Sequence, residues 1–133
     1  MTVYCDSCIL IYFFDQTGPW HIKATNRLAQ LALAGGSVVL SDLVRLEYRV
    51  QPLKFGDSAK LSNFDAYFQL PDVLHAPINT LVFDRATMLR ARYNFKLGDS
   101  IHLAAAIEAG RDSFLTNDTR LAACTDIPIE VLS

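Results

Sequence analysis

Hydrophobic and polar positions along this chain change period repeatedly. Short runs of apolar and β-branched residues predict strands at Thr2–Cys5 (TVYC), Ser37–Leu40 (SVVL) and Val73–Ala76. A further strand ends at Phe114–Thr116 (FLT), and a last one spans Ile127–Leu132. Between them lie stretches of helical period. Ser7–Phe14 is apolar throughout and fits a short helix. A second helix is predicted from about Pro19 to Ala34, where Gly35-Gly36 stops it. A third follows Ser41 or Asp42 as cap and is expected to end at Pro52. Gly56-Asp57-Ser58 opens a fourth, running to about Leu70 with Leu61, Phe64 and Phe68 on one face. Asn79 or Thr80 caps a fifth, carrying Val82, Ala86, Leu89 and Tyr93. Leu97-Gly98-Asp99 reads as a loop, and Ser100–Ala109 as a buried, alanine-rich helix. Asn117-Asp118 caps a short helix to Ala123.

Strands that alternate with helices predict an α/β/α sandwich, three layers around a central, mostly parallel sheet of four or five strands. Ligands in such folds bind outside the carboxyl ends of the strands. One helix breaks its own pattern. At ~100° per residue, SDLVRLEYRV (Ser41–Val50) puts Leu43, Leu46 and Val50 on one face, and Glu47 with them. An unpaired buried carboxylate is costly, so Glu47 needs a partner.

The chain has 133 residues, enough for one domain over residues 1–133, and 51% of them are hydrophobic. No run approaches a membrane span, and the apolar start has no basic region of the signal-peptide kind, so a soluble cytoplasmic protein is expected. Cys5, Cys8 and Cys124 are an odd number, which argues against a disulfide framework; Cys5 and Cys8 read better as reduced thiols at a strand end than as a metal or redox pair. The formal net charge is −2, so RNA would have to be bound through a local patch or through cations.

Four acids draw attention: three of the positions Asp6, Glu47, Asp99 and Asp118 directly abut predicted strand ends or the first helical turns after them, and Glu47 sits on the helix that follows the SVVL strand. Singly, Asp99 and Asp118 read as helix caps, and Glu47 as half of a buried ion pair. Together they read as a site for a hard divalent cation, since crowded carboxylates need a counter-charge and Mg²⁺ takes oxygen ligands. Such a site activates water and stabilises a phosphodiester under in-line attack. Without a cation, the crowding predicts that at least one of the four holds a proton near neutral pH.

The segments VYCDSCILIYFF, SDLVRLEYRV, LGDSIHLAAAIEAG and FLTNDTRL resemble, in type and order, the acidic motifs of PIN-domain ribonucleases, in particular the VapC-type toxins of toxin–antitoxin pairs. The resemblance implies a metal-dependent endoribonuclease using Mg²⁺ or Mn²⁺. It implies Asp6, Glu47, Asp99 and Asp118 as catalytic residues and ligands, with Ser7, Thr116 and Asn117 as small polar groups beside them. It also implies a homodimer, inhibition by a cognate antitoxin, and RNA as substrate. The first motif reads Asp-Ser-Cys where many relatives carry Asn in place of Cys8, and a thiol cannot replace an amide as a hydrogen-bonding group.

Arg45, Arg49 and Lys54, near Glu47 in sequence, are candidates for the RNA backbone. His102 is expected to be packed and hydrogen-bonded. Tyr12, Phe13, Phe14 and Trp20 suit a core or a dimer interface better than base stacking. Two other readings compete. A receiver-type phosphoacceptor domain also gathers acids at strand ends, but it needs a late lysine, and none follows Lys96. A catalytically silent RNA-binding PIN module would keep the fold without the turnover.

Overall fold

Every strand of the computed structural model, which describes residues 1–133 throughout, is short and parallel to its neighbours. The strands are β1 (Thr2–Cys5), β2 (Ser37–Leu40), β3 (Leu74–His75), β4 (Ser113–Thr116) and β5 (Ile129–Val131), in the order β3-β2-β1-β4-β5. Val3 pairs with Val38 on one side and with Ser113 on the other, which fixes β1 at the centre. Parallel neighbours need crossovers, and six helices supply them. These are α1 (Ser7–Phe14), α2 (Gly18–Leu33), α3 (Asp42–Phe55), α4 (Ser58–Phe68), α5 (Thr80–Tyr93) and α6 (Leu97–Glu108). They cover both faces and make the α/β/α sandwich expected from the sequence. A 3₁₀ turn, Thr119–Ala123, joins β4 to β5. No helix is long and apolar enough to cross a membrane.

The sheet's strand order reverses between β1 and β4: from β1 the chain moves to β2 and β3, and from β4 it moves to β5. A crevice outside the carboxyl ends of the strands is expected at such a reversal. Receiver domains have the order 2-1-3-4-5. The observed order differs, which overturns the phosphoacceptor alternative.

The core has two parts. Under the sheet, α6 is buried from Ser100 to Ala106, because its small alanines let it lie close against the strands. Beyond the sheet edge, Tyr48 of α3 stacks on Phe64 of α4 with ring centres 4.3 Å apart, and Phe14 meets Phe64 edge-on. The cysteines are unbridged: Cys5 and Cys124 are buried and Cys8 half-buried. Burial pushes the Cys8 thiol up to about 12 and the Cys5 thiol higher still.

Three local expectations change. Pro52 does not end α3, which continues to Phe55. Pro52 is buried, so its packing offsets the backbone hydrogen bond it cannot donate. The stop comes instead at Gly56, whose φ of +66° closes the helix in the left-handed conformation. The inward face of α3 is Val44, Tyr48 and Pro52, whereas Leu46 and Val50 are exposed. Finally, α6 begins at Leu97, so Asp99 lies inside its first turn and is not its cap.

Candidate active site at the carboxyl edge of the sheet

Asp6 leaves β1 in an extended conformation and caps α1, its Oδ1 accepting the Ser7 amide at 2.8 Å. Its own amide donates to the Leu115 carbonyl of β4 at 2.9 Å, so the residue is tied to the neighbouring strand. Its second oxygen, Oδ2, accepts the Thr116 hydroxyl at 2.8 Å. That hydroxyl also accepts the Asp118 amide at 3.1 Å. Thr116, with no exposed surface, thereby links two of the four acids through one oxygen.

Asp118 is a cap after all, accepting the Arg120 amide at 3.0 Å. The same carboxylate takes the Arg120 guanidinium at 3.0 and 2.5 Å, and that partner holds it below the usual carboxylate range. Glu47 projects from α3 and is half-buried. Its Oε1 accepts the Ser7 hydroxyl at 2.5 Å and lies 2.5 Å from His102 Nε2. Burial works against its charge, but the His102 and Ser7 hydrogen bonds outweigh burial and lower its affinity for a proton. Asp99 goes the other way. Burial, then the charges of Asp6 and Asp118, push its carboxyl up. The crowding expected from the sequence therefore falls on Asp99, while two neighbours are relieved by partners from the chain itself.

His102 is packed and hydrogen-bonded as expected, with 1% of its surface exposed. Its Nε2 lies 3.8 Å from Asp6 Oδ1 as well as against Glu47, so it stands between two of the acids. Its Nδ1 is 2.7 Å from the Tyr4 hydroxyl, which is 2.6 Å from Ser41 Oγ.

Of the small polar groups, Ser7 and Thr116 touch acids, but the Asn117 amide donates to the Tyr12 hydroxyl at 2.7 Å instead. Arg49 is already ion-paired with Asp65 of α4 at 3.3 Å. Arg45 is exposed, and Lys54 lies over the Phe55 ring. The cations nearest the acids are two that the sequence reading did not single out, Arg120 and Lys96, both of which lower the Asp118 carboxyl. Arg120 had a signal, standing two residues beyond Asp118. Lys96 had none, since its placement depends on α6 beginning at Leu97.

The donors are carboxylates and hydroxyls, the set that hard divalent cations take. The mutual charge of Asp6, Asp99 and Asp118 is the kind such an ion relieves, so the residues fit one in kind. Their present arrangement is not a finished cage. No three of the His, Cys, Asp and Glu side chains converge closely enough to hold an ion. Part of the reason is visible in the hydrogen bonds: Arg120 takes both oxygens of Asp118, and His102 and Ser7 take one oxygen of Glu47.

Comparison with known proteins bears on the family and the fold. Residues 3–126 match the family described as PIN domain. No curated protein matches the chain significantly. Among solved structures, it is similar to VapBC2 from Rickettsia felis bound to a DNA fragment from their promoter, at 15% identity, with all of both chains covered and a TM-score of 0.82. A toxin–antitoxin complex from Klebsiella pneumoniae matches at 21% identity over 94% of each chain, with a TM-score of 0.72. VapC20 from Mycobacterium tuberculosis, a sarcin-ricin loop cleaving toxin, matches at 14% identity over 84% of this chain and 86% of that one, with a TM-score of 0.66. At these identities the structural matches speak for the fold.

Proposed function

The chain belongs to the PIN domain family, and from that premise we propose that residues 1–133 form one nuclease domain, a metal-dependent endoribonuclease that is the toxin of a toxin–antitoxin pair. One observation carries the proposal. Asp6 and Asp118, from opposite ends of the sequence, are joined at the carboxyl edge by the Thr116 hydroxyl, which donates to Asp6 at 2.8 Å and accepts the Asp118 amide at 3.1 Å, and Asp99 lies close enough that burial and then their charges raise its carboxyl. Asp6 and Asp118 also cap the elements that follow them, but gathering three carboxylates at one edge costs charge repulsion, which a bound cation relieves.

Asp6, Asp99 and Asp118 would hold Mg²⁺ or Mn²⁺, with Glu47 contributing from α3. The bound cation would supply charge stabilisation at the phosphodiester and a water of lowered pKa. The chain's own residues do the rest. Thr116 and the Ser7 amide fix both oxygens of Asp6. Glu47 keeps its charge because His102 and Ser7 donate to it, so it can orient a water or accept its proton. Lys96 lies beside the acids and suits the RNA backbone better than Arg49 and Arg120, which Asp65 and Asp118 already engage. Arg45 and Lys54 remain free to extend that contact.

A protein partner is supported by the apolar surface. Leu46, Val50, Leu53 and Phe55 of α3 are each at least half exposed. Beside them a groove of about 360 Å³ opens between α1, α3 and α4, with Ile11, Tyr48, Phe55 and Glu47 in its wall. Exposed apolar residues gathered beside such a groove mark an interaction surface. A cognate antitoxin that covers Glu47, or a second copy in a homodimer, would use it. Cytoplasmic location follows for an enzyme that acts on cellular RNA.

Purified protein should cleave RNA with Mn²⁺ and stop in EDTA. Asp6→Asn and Glu47→Gln should each abolish cleavage while leaving the fold unchanged by circular dichroism. Full activity in either variant or in EDTA would overturn the proposal. RNA binding with no turnover in any divalent cation would favour the silent module instead.

A further inference from the structure

We propose that His102, backed by Tyr4 and Ser41, is a positioning residue that holds the Glu47 carboxylate by one oxygen and leaves the other free for the cation. This rests on the proposed function of the acidic site and adds a part to it.

The argument starts from hydrogen-bond capacity. An ionised carboxylate only accepts. Glu47 Oε1 receives the Ser7 hydroxyl and lies 2.5 Å from His102 Nε2, so that nitrogen must carry the proton and donate. On the other side of the ring, Nδ1 lies 2.7 Å from the Tyr4 hydroxyl, and that hydroxyl lies 2.6 Å from Ser41 Oγ. The ring is therefore gripped at both nitrogens, and the contacts run unbroken from Ser41 to Glu47. Tyr4 and Ser41 are buried, with 0% and 1% exposure, so water cannot substitute for either.

The other Glu47 oxygen is held differently. A side chain built at Gly98 would place its Cβ 3.2 Å from Glu47 Oε2. The free oxygen therefore faces the first turn of α6, where Asp99 is the next residue. The relay points one oxygen at His102 and the second at the neighbourhood of Asp99. It also explains why β1 has a tyrosine in a strand of apolar neighbours, and why Ser41 caps α3 in backbone only, with no side-chain bond to the helix.

The experiment has two arms. The first reads the wild type without metal: long-range ¹H–¹⁵N correlation assigns the His102 tautomer, and ¹³C shifts follow the Glu47 carboxyl. We expect the proton on Nε2, and a Glu47 carboxyl shift that moves in Tyr4→Phe and in His102→Gln. An Nε2 that carries no proton, or an unmoved Glu47 signal, overturns the proposal. The second arm measures Mn²⁺ binding by calorimetry. Groups that orient a ligand from behind typically change metal affinity about 10–100-fold when altered. Tyr4→Phe should weaken binding by about tenfold, at the lower end of that range. In a Glu47→Gln background the same change should add nothing, because Tyr4 acts only through Glu47. An equal loss in both backgrounds, or no loss in either, assigns Tyr4 and His102 to packing alone and overturns the relay. If the wild type neither binds Mn²⁺ nor cleaves RNA, the proposed function fails, and the first arm still decides whether the relay holds Glu47.

Discussion

Replacing Thr116 with valine removes one hydroxyl from a residue with no exposed surface and keeps its shape nearly unchanged. That hydroxyl donates to Asp6 and accepts from the Asp118 amide. A hydrogen bond to a charged group is worth about 1.5–3 kcal/mol, and a buried group left without a partner costs about 1–3 kcal/mol. The new methyl returns roughly 0.8 kcal/mol by burial. The net loss for Thr116→Val is therefore about 2–5 kcal/mol. For a chain of 133 residues, the usual unfolding entropy per residue converts this to a fall in Tm of about 7–18 °C. Thr116→Ser keeps the hydroxyl and deletes only the methyl, so it should lose about 1 kcal/mol. Urea unfolding of the three proteins, monitored by circular dichroism, measures both differences. If Thr116→Val lies within about 0.5 kcal/mol of wild type, or if Thr116→Ser is the worse of the two, the hydroxyl is not what joins the two acids.

The remaining predictions concern charge. Burial and the charges of Asp6 and Asp118 raise the folded Asp99 carboxyl above its ordinary 3.8. The folded chain then holds that proton more tightly than the unfolded one, so stability falls as pH rises from 3.8 through the raised value, and stays lowered above it. In EDTA, Asp99→Asn should melt higher than wild type at neutral pH and lose that advantage as pH approaches 3.8; a lower Tm at neutral pH would contradict the crowding. Arg120→Ala frees the Asp118 carboxylate from its internal cation, so Mn²⁺ should bind several-fold more tightly by calorimetry. Weaker binding would mean that Arg120 supports the site and does not compete for it.

Much of this arrangement was legible in the sequence, and the exceptions have physical causes. β1, β2 and α1 stand where their residues predicted, because their boundaries are marked by Asp6, Gly36 and Asp42. The three outer elements β3, β5 and α4 are shorter than predicted, since apolar composition continues past the point where pairing or helical bonding stops. Pro52 misled because its cost is local, while the burial that offsets it comes from tertiary packing. The apolar stripe of α3 misled in a different way. Leu46 and Val50 do follow a helical period, but they face away from the core of this chain, and period alone cannot say which core or partner a stripe serves. Three of the acids could be named from sequence because they sit beside a strand end or helix start, and Glu47 because it interrupts the apolar stripe of α3. Their present partners could not, since Glu47 and His102 are 55 residues apart and Arg120 had two acids to choose from.

The position of β1 at the centre of the sheet has a consequence for synthesis. Its two neighbours are made at very different times: Val3 pairs with Val38 early, but with Ser113 only much later. At about 5–20 residues per second, translation takes some 6–22 s to run from Asp6 to Asp118. Until then Asp6 has neither the Leu115 carbonyl nor the Thr116 hydroxyl to hold it, and Asp118 does not exist. A truncated or stalled nascent chain lacking β4 therefore carries the first three acidic motifs without an assembled site. The cleavage proposed above is thus delayed by the fold, and a ribosome making this protein is not exposed to it until the fourth strand has emerged.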